Sequence, residues 1–113
     1  MDLDEIEKLP VLDEVSTRSM RMFLGDEFNV IMDEFKTSTP PLLATLRMVV
    51  ESGRIEEVVD IAHRLKSGSG NLGLSAFSGI CQYLEEGLRD GQEIDVEQTI
   101  DVIERQFERI LNI

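Results

Sequence analysis

One short stretch of the sequence holds the residue types that could perform chemistry. His63 is the only histidine of the chain, and Lys66 and Ser67 follow it three and four positions later. On a helix these two residues are neighbours of the histidine, so an ammonium group and a small side chain would lie beside the imidazole. A neutral imidazole is a nucleophile, and a nearby lysine would neutralise the oxygens of an incoming phosphoryl group. The pattern therefore indicates phosphoryl chemistry at His63.

Three glycines follow the histidine within ten residues, at Gly68, Gly70 and Gly73. Each glycine inside a helix costs roughly 0.5 to 1 kcal/mol relative to alanine. A helix that served only as scaffold would have no reason to carry them. We interpret them as positions where another molecule approaches the backbone on the side of His63. The alternative is a frayed helix end, with Gly73 at a local bend before the next helix.

Other chemistries that use these residue types lack a necessary partner. The three glycines also spell GxGxxG, but the dinucleotide fingerprint needs a preceding strand, and the upstream sequence is helical. Asp60 and His63 form a D-x-x-H pair, but a di-iron bundle needs a second histidine from another helix. A catalytic set with Ser67 or Ser69 has no identifiable oxyanion hole. We therefore expect no metal site and no hydrolase site.

The elements that carry this stretch are predicted to be helices. Apolar residues recur at helical spacing almost throughout, and no segment alternates in the manner of a strand. The pattern favours an all-α fold, an antiparallel up-down four-helix bundle with a short additional N-terminal helix. In that leading helix we expect Val15 and either Met22 or Phe23 to continue the apolar stripe. One domain over 1–113 would hold the leading helix at about 3–24 and bundle helices at about 26–51, 54–71, 74–90 and 94–111.

Two prolines, Pro40 and Pro41, interrupt the first of the bundle helices. The apolar positions nevertheless keep one phase, because they are spaced by sevens at Phe28, Phe35, Leu42 and Val49. Two separate helices would have no reason to share a phase, which favours one kinked helix. The alternative is a helix that starts afresh, with Thr39 as its N-cap and Pro40 at its first position.

Composition limits the classes of function. The chain has 113 residues, with 11 Lys and Arg against 23 Asp and Glu, and a formal net charge of −12. Nucleic-acid and anionic-membrane partners are disfavoured, because both attract cationic proteins. The single cysteine, Cys81, cannot form an internal disulfide and fits a reducing compartment. No secretory signal and no apolar run of about 18 residues is visible, so we expect a cytoplasmic protein.

The segment HRLKSGSGNLGL, residues 63–74, closely resembles the signature of histidine-containing phosphotransfer (Hpt) domains of bacterial phosphorelays. His63, Lys66 and Gly73 match the fixed positions of that signature. The resemblance covers about residues 10–112, and it extends to further positions, namely Ala62, Leu74, Cys81, Leu84, Glu85, Phe35 and Pro40 or Pro41. One departure is Ser67, where the family usually has glycine.

The resemblance implies a phosphorelay intermediate without kinase or nucleotide-binding activity of its own. His63 would accept a phosphoryl group through Nε2 from the aspartyl phosphate of one receiver domain and pass it to another receiver. Lys66 would steady the phosphoryl oxygens. The chain would need no cofactor, because the receiver supplies Mg²⁺. Response-regulator receivers are the implied partners, with a hybrid sensor histidine kinase as a further candidate, and both the family and the charge favour a monomer.

Residues near His63 on the predicted helices at about 54–71 and 74–90 are candidates for contacts with the receiver. They are Asp60, Arg64, Ser67, Gly70, Gln82, Glu85 and Arg89. The leading helix is expected to cap this end of the bundle. Because the chain begins with Met1 and ends soon after the last helix, we expect a free-standing protein. The departure at Ser67 keeps open an alternative, an Hpt-like adaptor that binds a receiver or kinase without accepting phosphate.

Overall fold

Six α-helices make up the fold, in a computed structural model that describes residues 1–113. No strand is present, which confirms the prediction of an all-α protein. No helix combines the length and the apolar composition that a membrane span requires. The helices are α1 (Leu3–Glu7), α2 (Glu14–Leu24), α3 (Glu27–Glu51), α4 (Ile55–Asn71), α5 (Ser75–Arg89) and α6 (Val96–Leu111).

The leading helix predicted at about 3–24 is in fact two helices, α1 and α2, so this prediction was wrong. Pro10 lies in the segment between them. Proline lacks a backbone N–H and disfavours helical geometry in the residue before it, which favours a break at this point. Asp13 then starts α2, because its side chain accepts hydrogen bonds from two backbone N–H groups of the first turn.

The break also changes which face of α2 is buried. Val15, Met22 and Phe23, expected to face the bundle, are 79%, 82% and 86% exposed. Thr17 is fully buried instead, and Leu24 is packed against the core. The prediction of packed apolar residues here was wrong because it assumed a helical phase continuous with α1. A helix that starts at Asp13 can rotate independently of that phase.

α3 runs as one helix through Pro40 and Pro41. Its register differs from the predicted spacing of seven, because Leu43 is buried and Leu42 is only half-buried. The departure lies directly after Pro40 and Pro41, which lack the backbone N–H groups that a regular helix uses. The other three positions of that spacing, Phe28, Phe35 and Val49, are buried as predicted. The buried positions of α3 are Phe28, Met32, Phe35, Thr39, Leu43, Leu46 and Val49.

The four long helices enclose one apolar core. α3 packs against α4 and α6, and α5 packs against the same two helices, so each of the four has two neighbours. The aromatic rings of Phe35, Phe77 and Phe107, from three different helices, meet with centroids 5.6 to 6.3 Å apart. α1 packs against α5 and α6. This arrangement sets α4, which carries His63, directly beside α5.

Candidate functional site

The position of His63 follows from the phase of α4. Ala62 and Leu65, on either side of it in sequence, are buried in the core with exposures of 0% and 2%. At about 100° per residue, the side chain between them turns away from the core stripe. The side chain of His63 is 52% exposed. The imidazole is therefore reachable from outside the protein, as its place in the sequence pattern predicts.

A buried carboxylate holds the inner edge of that imidazole. The Nδ1 of His63 lies 2.9 Å from Oε2 and 3.2 Å from Oε1 of Glu85. The Glu85 side chain is 1% exposed. The prediction that Glu85 contacts a receiver was wrong, because a side chain with so little exposure presents no surface to a partner. Glu85 instead bonds Nδ1 of His63 from the interior of the protein.

Two cationic side chains share the Glu85 carboxylate with His63. The Nζ of Lys66 lies 2.9 Å from Oε1, and the Nη1 of Arg89 lies 2.7 Å from Oε2. Lys66 is 27% exposed and Arg89 is 55% exposed, so both cations border the surface at which the imidazole emerges. The sequence predicted Lys66 as a neighbour of His63, and the structure places both side chains on the same carboxylate.

These contacts decide the protonation of Glu85. Burial on its own would raise the pKa of this carboxyl, but hydrogen bonds from Lys66 and His63 and the charges of Lys66 and Arg89 outweigh it. The pKa of Glu85 consequently lies below its usual value, and the group is ionised near neutral pH. An ionised carboxylate only accepts hydrogen bonds, so Nδ1 of His63 carries the proton between them. In the neutral ring, Nε2 is then left with its lone pair free.

The remaining predicted contact residues are exposed around this site. They are Asp60, Arg64, Ser67, Gly70, Gln82 and Arg89. Two of these side chains have partners within α5: Gln82 donates to Glu86 over 2.8 Å, and Arg89 binds Glu85. No group of three or more His, Cys, Asp and Glu side chains is arranged to hold a metal ion.

Two of the three glycines near His63, Gly70 and Gly73, pack closely against other helices of the chain. Gly73 is buried at the end of α4 with φ +77°, and a Cβ there would lie 2.5 Å from Oγ1 of Thr17. A Cβ at Gly70 would lie 3.2 Å from Oγ of Ser78 on α5. The interpretation of Gly73 as a point of approach for another molecule was wrong, because α2 occupies that space. Gly68, whose Cβ would meet only Phe35 at 3.9 Å, is not restricted in this way.

Sequence reasoning missed the contact between Glu85 and His63. A signal was present, since Glu85 follows Cys81 and Leu84 at core positions of α5 and has Arg89 one turn later as a counter-charge. Cys81 itself is fully buried. Burial first, and then the charge of Glu85, raise the pKa of its thiol, which keeps it protonated and unreactive.

Comparison with known proteins assigns this arrangement to a family. The family model of the Hpt domain matches residues 30–113. The chain belongs to the Hpt domain family. It is also similar to the crystal structure of histidine-containing phosphotransfer protein B (HptB) from Pseudomonas aeruginosa PAO1, with 29% identity and a TM-score of 0.82. That match covers 91% of this chain and 90% of the HptB chain. No curated protein matches the sequence.

Membership in the Hpt family identifies the class of function. Hpt domains have a histidine phosphotransfer role in phosphorelays, and their proteins are phosphocarriers and not kinases. They interact with receiver domains and histidine kinases. The exposed imidazole and its buried carboxylate in this chain are consistent with that role.

Proposed function

We propose that this Hpt protein is a phosphorelay intermediate that takes a phosphoryl group from the aspartyl phosphate of one receiver domain and passes it to another. His63 is the acceptor. The observation that carries the proposal is an imidazole, 52% exposed, whose Nδ1 is bonded to a buried carboxylate. That bond directs the free lone pair of Nε2 towards the solvent, where a receiver would dock.

The proposed transfer is an in-line displacement at phosphorus. The lone pair of Nε2 forms the new P–N bond while the P–O bond to the receiver aspartate breaks, and the electron pair leaves with that carboxylate. The imidazole ring gains positive charge during this step. The ionised carboxylate of Glu85, bonded to Nδ1–H, stabilises the developing charge. Onward transfer to a second receiver is the same step in reverse.

Lys66 and Arg89 are proposed to stabilise the phosphoryl oxygens. Both cations border the imidazole, and both have exposed surface from which they can turn to a dianionic group on Nε2. The protein needs no cofactor and no nucleotide in this scheme, because the receiver contributes Mg²⁺ and the carboxylates that hold it. The rate then depends on how the two proteins dock.

The docking surface is proposed to surround His63 on α4 and α5. Its candidate residues are Asp60, Arg64, Ser67, Gly70, Gln82 and Arg89, all of which are exposed.

We also propose that α3 to α6 alternate in direction as an antiparallel bundle, which is supported by short connections and by the contact of each helix with two neighbours. A net charge of −12 disfavours self-association, which supports a monomer.

Substitution of the acceptor tests the proposal. Phosphorylated receiver domains are incubated with the wild-type protein and with His63→Gln, and acid-labile, base-stable phosphate on each is measured. We expect label on the wild type and none on the variant, with unchanged helical circular dichroism because His63 is a surface side chain. Unimpaired labelling of the variant would rule out His63 as acceptor. Receiver binding without labelling of the wild type would instead favour the adaptor.

A further inference from the structure

A serine hydroxyl connects α5 to α4 beside the functional site. The Oγ of Ser78 donates to the backbone carbonyl of Lys66 over 3.1 Å. The hydroxyl of Ser69, within α4, lies 3.2 Å from the same carbonyl, but its shorter hydrogen bond, over 2.6 Å, is to the carbonyl of Leu65. The helices are close together at this point, because a Cβ at Gly70 would lie 3.2 Å from the Ser78 oxygen. Ser78 therefore provides a polar contact between two helices where they lie close together.

Ser78 and Glu85 lie on one face of α5. They are seven residues apart, which is about two turns or 10 Å. Both contact the same short part of α4: Ser78 binds the backbone of Lys66, and Glu85 binds the side chains of Lys66 and His63. The hydroxyl thus joins the two helices near the point where the carboxylate must reach the imidazole.

The contact between Glu85 and His63 depends on the register of the two helices. A slide of one helix by a single residue is about 1.5 Å. Such a slide would lengthen the 2.9 Å separation between Oε2 of Glu85 and Nδ1 of His63 beyond hydrogen-bond distance. The apolar contacts between α4 and α5 are non-directional, whereas a hydrogen bond to one carbonyl specifies one register.

We infer that Ser78 is a positioning residue, which holds α5 in the register at which Glu85 bonds Nδ1 of His63. Through that bond Ser78 fixes the tautomer that leaves Nε2 available for phosphoryl transfer. The inference rests on the proposed function of His63, but its central claim concerns the unphosphorylated protein and can be measured there.

The test compares two serine-to-alanine variants by ¹⁵N nuclear magnetic resonance of the imidazole. Ser78→Ala removes the hydroxyl between the helices, and Ser69→Ala removes the hydroxyl that reaches the same carbonyl from within α4. We expect Ser78→Ala to raise the ratio of the Nε2–H to the Nδ1–H tautomer about threefold or more, and to slow phosphorylation of His63 by a receiver about three- to tenfold. Ser69→Ala should leave the tautomer ratio at its wild-type value.

Glu85→Ala gives the tautomer ratio in the absence of the carboxylate. The change in Ser78→Ala is compared with this full change. A wild-type tautomer ratio in Ser78→Ala would overturn the inference, even if phosphotransfer became slower. An equal change in Ser69→Ala would also overturn it, because the effect would then belong to the Lys66 carbonyl and not to the helix register. If no receiver labels wild-type His63, the proposed function fails, while the tautomer ratios still decide the role of Ser78.

Discussion

Replacement of Glu85 by glutamine removes one charge from the site and keeps the shape of the side chain. The wild-type carboxylate lies 2.7 to 2.9 Å from nitrogen atoms of His63, Lys66 and Arg89. Glutamine retains one acceptor oxygen, which can still bond Nδ1–H. The developing charge on the imidazole, however, would no longer face an anion. Glu85→Gln therefore tests whether the buried charge itself contributes to transfer.

The expected size of the effect follows from one hydrogen bond. A hydrogen bond to a charged group contributes about 1.5 to 3 kcal/mol. If that stabilisation is expressed mainly in the transition state, its loss slows phosphorylation of His63 about 10- to 150-fold. The cost in folding stability should stay below the roughly 3 to 5 kcal/mol of breaking a fully buried ion pair. The reason is that Lys66 and Arg89 are partly exposed, so water can solvate them when their counter-charge is lost.

The assay is single-turnover transfer from a phosphorylated receiver to wild type, Glu85→Gln and the control Glu86→Gln. Glu86 is the next residue of α5 and undergoes the same chemical change, but its side chain is exposed and bonds only Gln82. We expect the control to transfer at close to the wild-type rate. A rate for Glu85→Gln within twofold of wild type, with both variants folded, would refute the electrostatic role of the carboxylate.

Two further predictions concern stability. Gly73→Ala should destabilise the fold by about 2 to 4 kcal/mol in urea denaturation, since it combines positive φ with a clash against Thr17. Gly91→Ala, with positive φ in open space, should cost only about 1 kcal/mol, and equal costs would contradict the clash. Because the pKa of Glu85 is lowered on folding, the stability advantage of wild type over Glu85→Gln should shrink as pH falls below about 4.3. A pH-independent difference would contradict this linkage.

The sequence predicts the exposure of His63 well because exposure is a local property of one helix. The phase of Ala62 and Leu65 on one helix is enough to turn His63 outwards, and the spacing to Lys66 is fixed by the same helix. The all-α class is likewise visible from helical periodicity. Predictions of this kind require only the geometry of a single regular element.

Predictions of which residues are buried were less successful where proline interrupts the helical pattern. Pro10 ends the phase of α1, so the exposed face of α2 could not be obtained by extending the apolar stripe to Met22. In α3 the helix does continue through its prolines. There, Leu43 is buried in place of Leu42 directly after the two prolines, while Val49 further along is buried as predicted. Both errors concern the phase of a helix next to a proline, which the apolar spacing on its own does not fix.

The sequence by itself determined the helical class, the exposure of the single imidazole and the lysine beside it. Only the tertiary structure decided that Glu85, 22 residues away, bonds that imidazole. A glutamate in isolation is expected at the surface, because burying an unpaired charge is costly. Its burial becomes favourable only when helix packing brings His63 and Lys66 of α4 to it, and the register of two helices cannot be read from the periodicity of either one.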